Sequence, residues 1–107
     1  MNRCNVRQPD LGGHAGRRPA VILTRQGVIP FLNKLTVAEI TSRGKGYPTE
    51  VALSQQGNLP KQSFVHLDNI QTVAKTRFVK YIGSLDAPTM MTVGRKLILA
   101  FGLEDCL

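Results

Sequence analysis

Three groups of residues in this sequence have types and spacing that could handle a phosphate ester. Arg17 and Arg18 stand between Gly16 and Pro19 and lead straight into Ala20-Val21-Ile22-Leu23. A guanidinium keeps its charge at any physiological pH and forks onto phosphate oxygens. Thr41 and Ser42 set two hydroxyls side by side, and Arg43-Gly44-Lys45-Gly46 follows them as a basic turn. His66 and Asp68 lie two residues apart in an alternating segment, so both side chains leave one face of a strand. Imidazole suits general acid or base work near neutral pH, with the carboxylate to orient it or stabilise its charge. Each group also has an ordinary reading: surface arginines flanking a strand, a Thr-Ser turn, and an exposed His–Asp pair.

The elements that must position these residues are mostly strands. Ala20 to Leu23 is a short apolar run, the mark of a strand buried on both faces, with Pro19 at its start. Thr24 to Asn33, holding Gly27 and Pro30, is an excursion. Leu35 to Ile40 alternates as a half-buried strand and delivers Thr41 and Ser42 at its end. Thr49 to Leu53 alternates with Val51 and Leu53 on one face, and Gln55 to Lys61 is a polar loop. Ser63 to Gln71 would put Phe64, His66, Asp68 and Ile70 on one side and Val65, Leu67 and Asn69 on the other. Lys80 to Leu85 is a further short strand. Pro9 lacks an N–H and confines residues 1–10 to an edge or a non-strand, short or frayed.

The last segment is helical. Asp86 is its N-cap and Pro88 sits in the first turn. Met90, Val93, Leu97, Ala100 and Leu103 follow helical spacing, Ile98 and Phe101 widen the stripe, and Gly102 is a C-terminal stop. Several short strands and one terminal helix make a mainly β fold, a small β-barrel type, in a single domain over residues 1–107.

Composition bounds the partners. The chain carries 14 Lys and Arg against 7 Asp and Glu, a formal charge of +7. Residues 1–48 hold eight of the basic and two of the acidic residues, net +6. A localised basic half suggests a polyanion, nucleic acid or an acidic protein segment, with simple solubility charge about as common in a chain this small. Cys4 and Cys106 make neither a disulfide framework nor a metal motif. No apolar run reaches the length of a membrane span and no secretory h-region opens the chain, so a cytoplasmic location is expected.

Four segments, in order, resemble the MazF/PemK/Kid toxins, ribosome-independent endoribonucleases of bacterial toxin–antitoxin pairs. Gly16-Arg17-Arg18-Pro19 before the Val/Ile/Leu strand is similar to the family signature. Ala38-Glu39-Ile40-Thr41-Ser42 resembles its second strand, Gly46-Tyr47-Pro48-Thr49-Glu50-Val51 its Gly-Tyr-Pro-Phe-Glu-Val, and Ser63 to Thr72 the strand that closes its active site. Residues 1–10 match least: Cys4, Asn5, Arg7 and Pro9 replace the usual Gly, Asp, aromatic residue and Val.

The resemblance implies an SH3-like barrel of the PemK/CcdB type and a sequence-selective cleavage of single-stranded mRNA needing neither metal nor cofactor. Such cleavage needs a group to take the 2′-hydroxyl proton, one to stabilise the five-coordinate phosphorus and one to protonate the 5′-oxygen. DNA has no 2′-hydroxyl, so the chemistry selects RNA. By resemblance Arg18 serves the scissile phosphate and Thr41 contacts it or protonates it. His66 and Asp68 stand where one Kid-like branch carries an arginine and an aspartate as acid and base. Arg17, Ser42, Lys45, Thr49 and Asn69 are the expected RNA-binding positions. Gly13 falls where the family often has an acidic residue, and His14 beside it is the weaker candidate. A homodimer with RNA along its interface and an acidic antitoxin partner follow from the same likeness. The rival readings are a non-enzymatic CcdB-like toxin that binds a protein target, and a degenerate toxin that keeps antitoxin binding.

Overall fold

The computed structural model describes residues 1–10, 18–54 and 56–106. Six strands form one sheet: β1 (Asn5–Pro9), β2 (Ala20–Ile22), β3 (Lys34–Thr41), β4 (Glu50–Ala52), β5 (Phe64–Ala74) and β6 (Phe78–Ser84). The strand order is β4-β5-β3-β2-β1-β6 and every pairing is antiparallel. Helix α1 (Ala87–Ala100) follows β6, and a 3₁₀ turn over Gln26–Phe31 fills the β2–β3 excursion.

Both faces of the sheet are covered, as the apolar run at β2 requires. Val21 joins Val6, Ala38, Ile40, Val65 and Leu67 in a core beneath α1, where Val93 is buried and Met90, Leu97 and Ala100 pack. Ala20 and Ile22 point the other way, into a second core with Leu35, Val37 and Val73 that Ile29 of the 3₁₀ turn completes. Burying a Val or Ile side chain is worth about 1.5–3 kcal/mol, so a short strand feeding two cores is strongly held. That strand is what Arg18 is tethered to.

The sheet curls without closing. Edge strands β4 and β6 share no ladder. The β4–β5 loop fills the gap: Asn58 Nδ2 donates to the Ile82 carbonyl at 3.1 Å, and Gly57 lies against Gly83. A Cβ added to Gly83 would come within 2.5 Å of the Gly57 carbonyl carbon and oxygen. The expected barrel is therefore an open six-stranded sheet, with the β4–β5 loop packed and hydrogen-bonded against β6.

The reading of β1 as an edge or non-strand is corrected. β1 lies inside the sheet, between β2 and β6. Pro9 is accommodated because the β1–β2 pairs end at Arg7↔Ala20 and the β1–β6 register shifts between Gln8 and Pro9. Proline is tolerated at such irregularities. Arg7 stacks over the Tyr81 ring at 5.3 Å, so the guanidinium replaces an apolar anchor with a cation–π contact.

Helix α1 begins as read: the Asp86 side chain accepts from the Thr89 N–H at 2.9 Å, with proline in the first turn. At the other end Gly102 takes φ +63. Its N–H bonds Leu99 O at 3.0 Å and that of Leu103 bonds Ile98 O at 2.9 Å, a Schellman motif. The apolar stripe consequently stops at Ala100, and Phe101 and Leu103, expected to extend it, are exposed beyond the helix.

Candidate functional site

The site forms where β5 bends. Ala38 of β3 pairs with Ile70 and Ile40 pairs with Val65, so one residue of β3, Glu39, faces residues 66–69 of β5. Bulges of this kind re-aim side chains and occur near functional sites. Strict alternation breaks here. Val65, Leu67 and Ile70 all turn to the core beneath the helix, while His66 and Asn69 line a cleft on the other side. The expected split with Ile70 beside His66, and Asn69 opposite, is corrected by this irregularity.

That cleft has a volume of about 650 Å³. Among the described residues, Arg18, Arg43, Lys45 and Lys61 line it against one acidic side chain, Glu39. Arg18 leaves the chain just before β2, where Pro19 O accepts from the Ile40 N–H at 2.9 Å. Its Nη1 donates to Glu39 Oε1 at 3.3 Å. The Arg18 side chain is 54% exposed and that of Glu39 14%, so the pair leans from the cleft wall with most of the guanidinium facing water. Arg18 is thus at once an ion-pair partner and a cleft cation.

Thr41 and Ser42 stand at the end of β3 and also line the cleft. Thr41 Oγ1 donates to Arg43 O at 3.0 Å and lies 3.1 Å from His66 Nε2. The same ring nitrogen lies 3.2 Å from Arg43 O. Thus His66 is buried behind Thr41 and the 43–46 turn, and its imidazole reaches the cleft through the Thr41 hydroxyl.

The carboxylate beside His66 is Glu50 and not Asp68. Glu50 Oε2 lies 3.4 Å from His66 Nδ1, with both side chains 7% exposed, because Glu50 and His66 are direct cross-strand partners. Glu50 also accepts from the backbone N–H groups of Lys45 and Gly46 at 2.8 and 3.0 Å. Asp68 is exposed and accepts from Thr49 Oγ1 at 2.5 Å. The structure therefore gathers Arg18, Thr41, Ser42, Lys45, His66 and Asn69 round one cleft and sets Asp68 and Thr49 together apart from it. Arg17 and His14 lie outside the described residues, as does Gly13. Sequence reasoning missed Glu50. The signal was there in an acidic residue inside a β-strand of alternating pattern, but its pairing with His66 depended on a register that the long β4–β5 connection hides.

Fold and cleft define a small antiparallel β domain that concentrates cations around two adjacent hydroxyls. The family described as "PemK-like, MazF-like toxin of type II toxin-antitoxin system" matches residues 3–101. Endoribonuclease MazF3 of Mycobacterium tuberculosis is 37% identical over 87 residues, 81% of this chain and 84% of that protein. Probable endoribonuclease MazF5 of the same organism is 37% identical over 92 residues, 85% of this chain and 82% of that one. Among solved structures, the Mycobacterium tuberculosis toxin MazF-mt6 superposes with a TM-score of 0.86 at 33% identity, covering 94% of this chain and 98% of that one. An endoribonuclease in complex with its cognate antitoxin, from a mycobacterial species, gives 0.87 at 27% identity, covering 96% of both chains. The chain belongs to the PemK/MazF-like toxin family of type II toxin–antitoxin systems.

Proposed function

We propose that this chain is the endoribonuclease toxin of its pair, cleaving single-stranded RNA with sequence selectivity through attack of the 2′-hydroxyl on the adjacent phosphorus. One observation carries the reading: Arg18 and Thr41 line the same basic cleft, with Arg43, Lys45 and Lys61 around them. Arg18 neutralises charge on the five-coordinate phosphorus, as a preorganised donor does. The Thr41 hydroxyl hydrogen-bonds a phosphate or leaving oxygen, and His66 acts through it. Ser42, Lys45 and Asn69 hold the flanking strand, with Arg17 next to Arg18 in sequence. Thr49 and Asp68, bonded to each other outside the cleft, serve at its rim and not on the imidazole. The names of relatives 37% identical support the activity.

The substrate is cytoplasmic mRNA and the working unit a homodimer. An acidic antitoxin is the natural ligand of a chain of charge +7, and a mycobacterial neighbour is described in complex with its cognate antitoxin. The test is incubation with a long RNA in EDTA. Discrete fragments ending in a 2′,3′-cyclic phosphate or 3′-phosphate, with 5′-hydroxyl partners, are expected. Intact RNA would overturn the reading in favour of a toxin acting by protein contact.

A further inference from the structure

We infer that Glu50 is a positioning residue that sets the imidazole of His66 and, through it, the hydroxyl of Thr41. The inference rests on the cleavage reading above. It starts from a cost: a carboxylate 7% exposed is expensive unless it is paired and hydrogen-bonded. Glu50 is both. Two backbone N–H groups, of Lys45 and Gly46, hold its oxygens, and His66 Nδ1 stands 3.4 Å from Oε2. A carboxylate pinned by backbone cannot follow the ring, so the ring follows it.

The hydrogen-bond inventory gives the consequence. A carboxylate only accepts, so Nδ1 facing it must carry hydrogen. In the neutral ring the charged carboxylate keeps the remaining hydrogen on Nδ1 against the neutral Arg43 carbonyl, so Nε2 accepts, and the Thr41 hydroxyl, which donates to Arg43 O in this structure, turns to donate to Nε2, 3.1 Å away. In the charged ring Nε2–H points at Thr41 Oγ1 and Arg43 O, both within 3.2 Å. Either way Glu50 directs Nε2 toward Thr41. A proton can then pass in one sense during cleavage. Nε2–H goes to Thr41 Oγ1 as the Thr41 hydroxyl proton goes to the departing 5′-oxygen. Thr41 is unchanged, the ring becomes neutral, and its electron pair returns to Nε2. Water takes the 2′-hydroxyl proton as the 2′-oxygen bonds phosphorus and the bond to the 5′-oxygen breaks, and that proton later recharges the ring. No oxidant or co-reactant is needed.

Other charges face this ring from the surrounding elements. Arg18 and Glu39 stand on the β2–β3 side, Arg43 and Lys45 on the turn, and Lys61 on the β4–β5 loop. Asp68, on the same strand as His66, is engaged by Thr49. Only Glu50 among them contacts Nδ1. The 43–46 turn shares the same anchor, and because Oε1 alone accepts from both the Lys45 and Gly46 N–H groups, the amide oxygen of Glu50→Gln keeps that turn in place.

The experiment has two arms. In wild type, long-range ¹H–¹⁵N correlation spectra of the His66 ring at alkaline pH should show the hydrogen on Nδ1. Hydrogen on Nε2 would overturn the inference, and this arm reads out whether or not RNA is cleaved. In the second arm, single-turnover cleavage is followed from pH 5 to 9 for Glu50→Gln, His66→Gln and the double variant, each checked by thermal melting. The amide introduced by Glu50→Gln offers an N–H to Nδ1 and reverses the tautomer. That variant should therefore slow cleavage by at least tenfold and change the shape of the pH profile. Affinity for RNA with a 2′-deoxy at the cut site should hold within about threefold. In the His66→Gln background the Glu50 change should cost nothing more, since both act on one path. Additive losses, or an unchanged profile in a folded Glu50→Gln, would overturn the inference. Glu50→Asp serves if Glu50→Gln does not fold, and its shorter reach should give the same non-additivity. A wild type that cuts no RNA in any condition would defeat the cleavage reading and leave the tautomer result standing.

Discussion

Removing Arg18 separates its two roles, because the structure assigns them different magnitudes. As an ion pair, Arg18–Glu39 is 3.3 Å long with the guanidinium half exposed, and exposed pairs contribute about 0–1 kcal/mol. Glu39, at 14% exposure, keeps some contact with water when its partner is lost. Arg18→Ala should therefore lower Tm by no more than about 8 °C for a domain of this size. As a preorganised cation at the reacting phosphate, Arg18 should supply about 3–4 kcal/mol of transition-state stabilisation. That is a loss on the order of 10²–10³ in rate. Arg18→Lys keeps the charge and loses the fork, so it should fall between. Glu39→Gln frees the guanidinium without removing it and should cost far less. The assay is single-turnover cleavage of a short RNA with one scissile site, alongside thermal melts. Arg18→Ala that melts near wild type and cuts within about threefold of it would refute the reasoning and leave Arg18 as an ion pair binding β2 to β3.

Three further outcomes are expected. Gly83→Ala should cost about 1–3 kcal/mol through overpacking against the Gly57 backbone, a Tm drop of at least about 4 °C; an unchanged Tm would mean that the β4–β5 loop does not pack there. Hydrogen bonds from the Thr89 side chain and then its backbone N–H hold the Asp86 carboxyl below its ordinary value of 3.8. Its folded value lies under its unfolded one, so the cap stabilises fully above about pH 4 and loses that contribution as pH falls through the folded value; the Tm gap between wild type and Asp86→Ala should be constant near neutrality and narrow below about pH 4. RNA and antitoxin should compete for the cleft, and with four cations lining it the affinity for single-stranded RNA should fall with a log–log salt slope of about −3; a ternary complex that leaves cleavage untouched would contradict the shared surface.

Much of this fold is readable from local pattern, and the failures have physical causes. The apolar run at Ala20–Ile22 marked a strand buried on both faces because no water-facing side chain interrupts it. Asp86, Pro88 and Gly102 marked the helix ends because capping is chemistry between near neighbours. Pro9 misled because its missing N–H was weighed without the ladder: β2 has already ended beside it, a fact of tertiary pairing. The cations of the cleft were visible as sequence. The partner of His66 was not, since Asp68 is near in sequence while Glu50 is near only after β4 and β5 align.

The depth of charge in the site follows from that alignment. An unpaired carboxylate at the surface of a cleft that receives a polyanion would repel the ligand, and Glu39 there is paired with Arg18; yet an imidazole needs an acceptor to fix its orientation. Glu50 meets both demands by lying behind His66, covered by the 43–46 turn and held by that turn's own N–H groups. Arg18, Arg43, Lys45 and Lys61 occupy the front. Asp68, which is exposed and engaged by Thr49, would as the partner of His66 have brought an open carboxylate to the ligand. The irregularity opposite Glu39 lets Asp68 and Asn69 both turn away from the core, Asn69 to the cleft and Asp68 to Thr49. The bend in β5 thus does what strict alternation cannot: it keeps an amide in the cleft while taking the neighbouring carboxylate out of it.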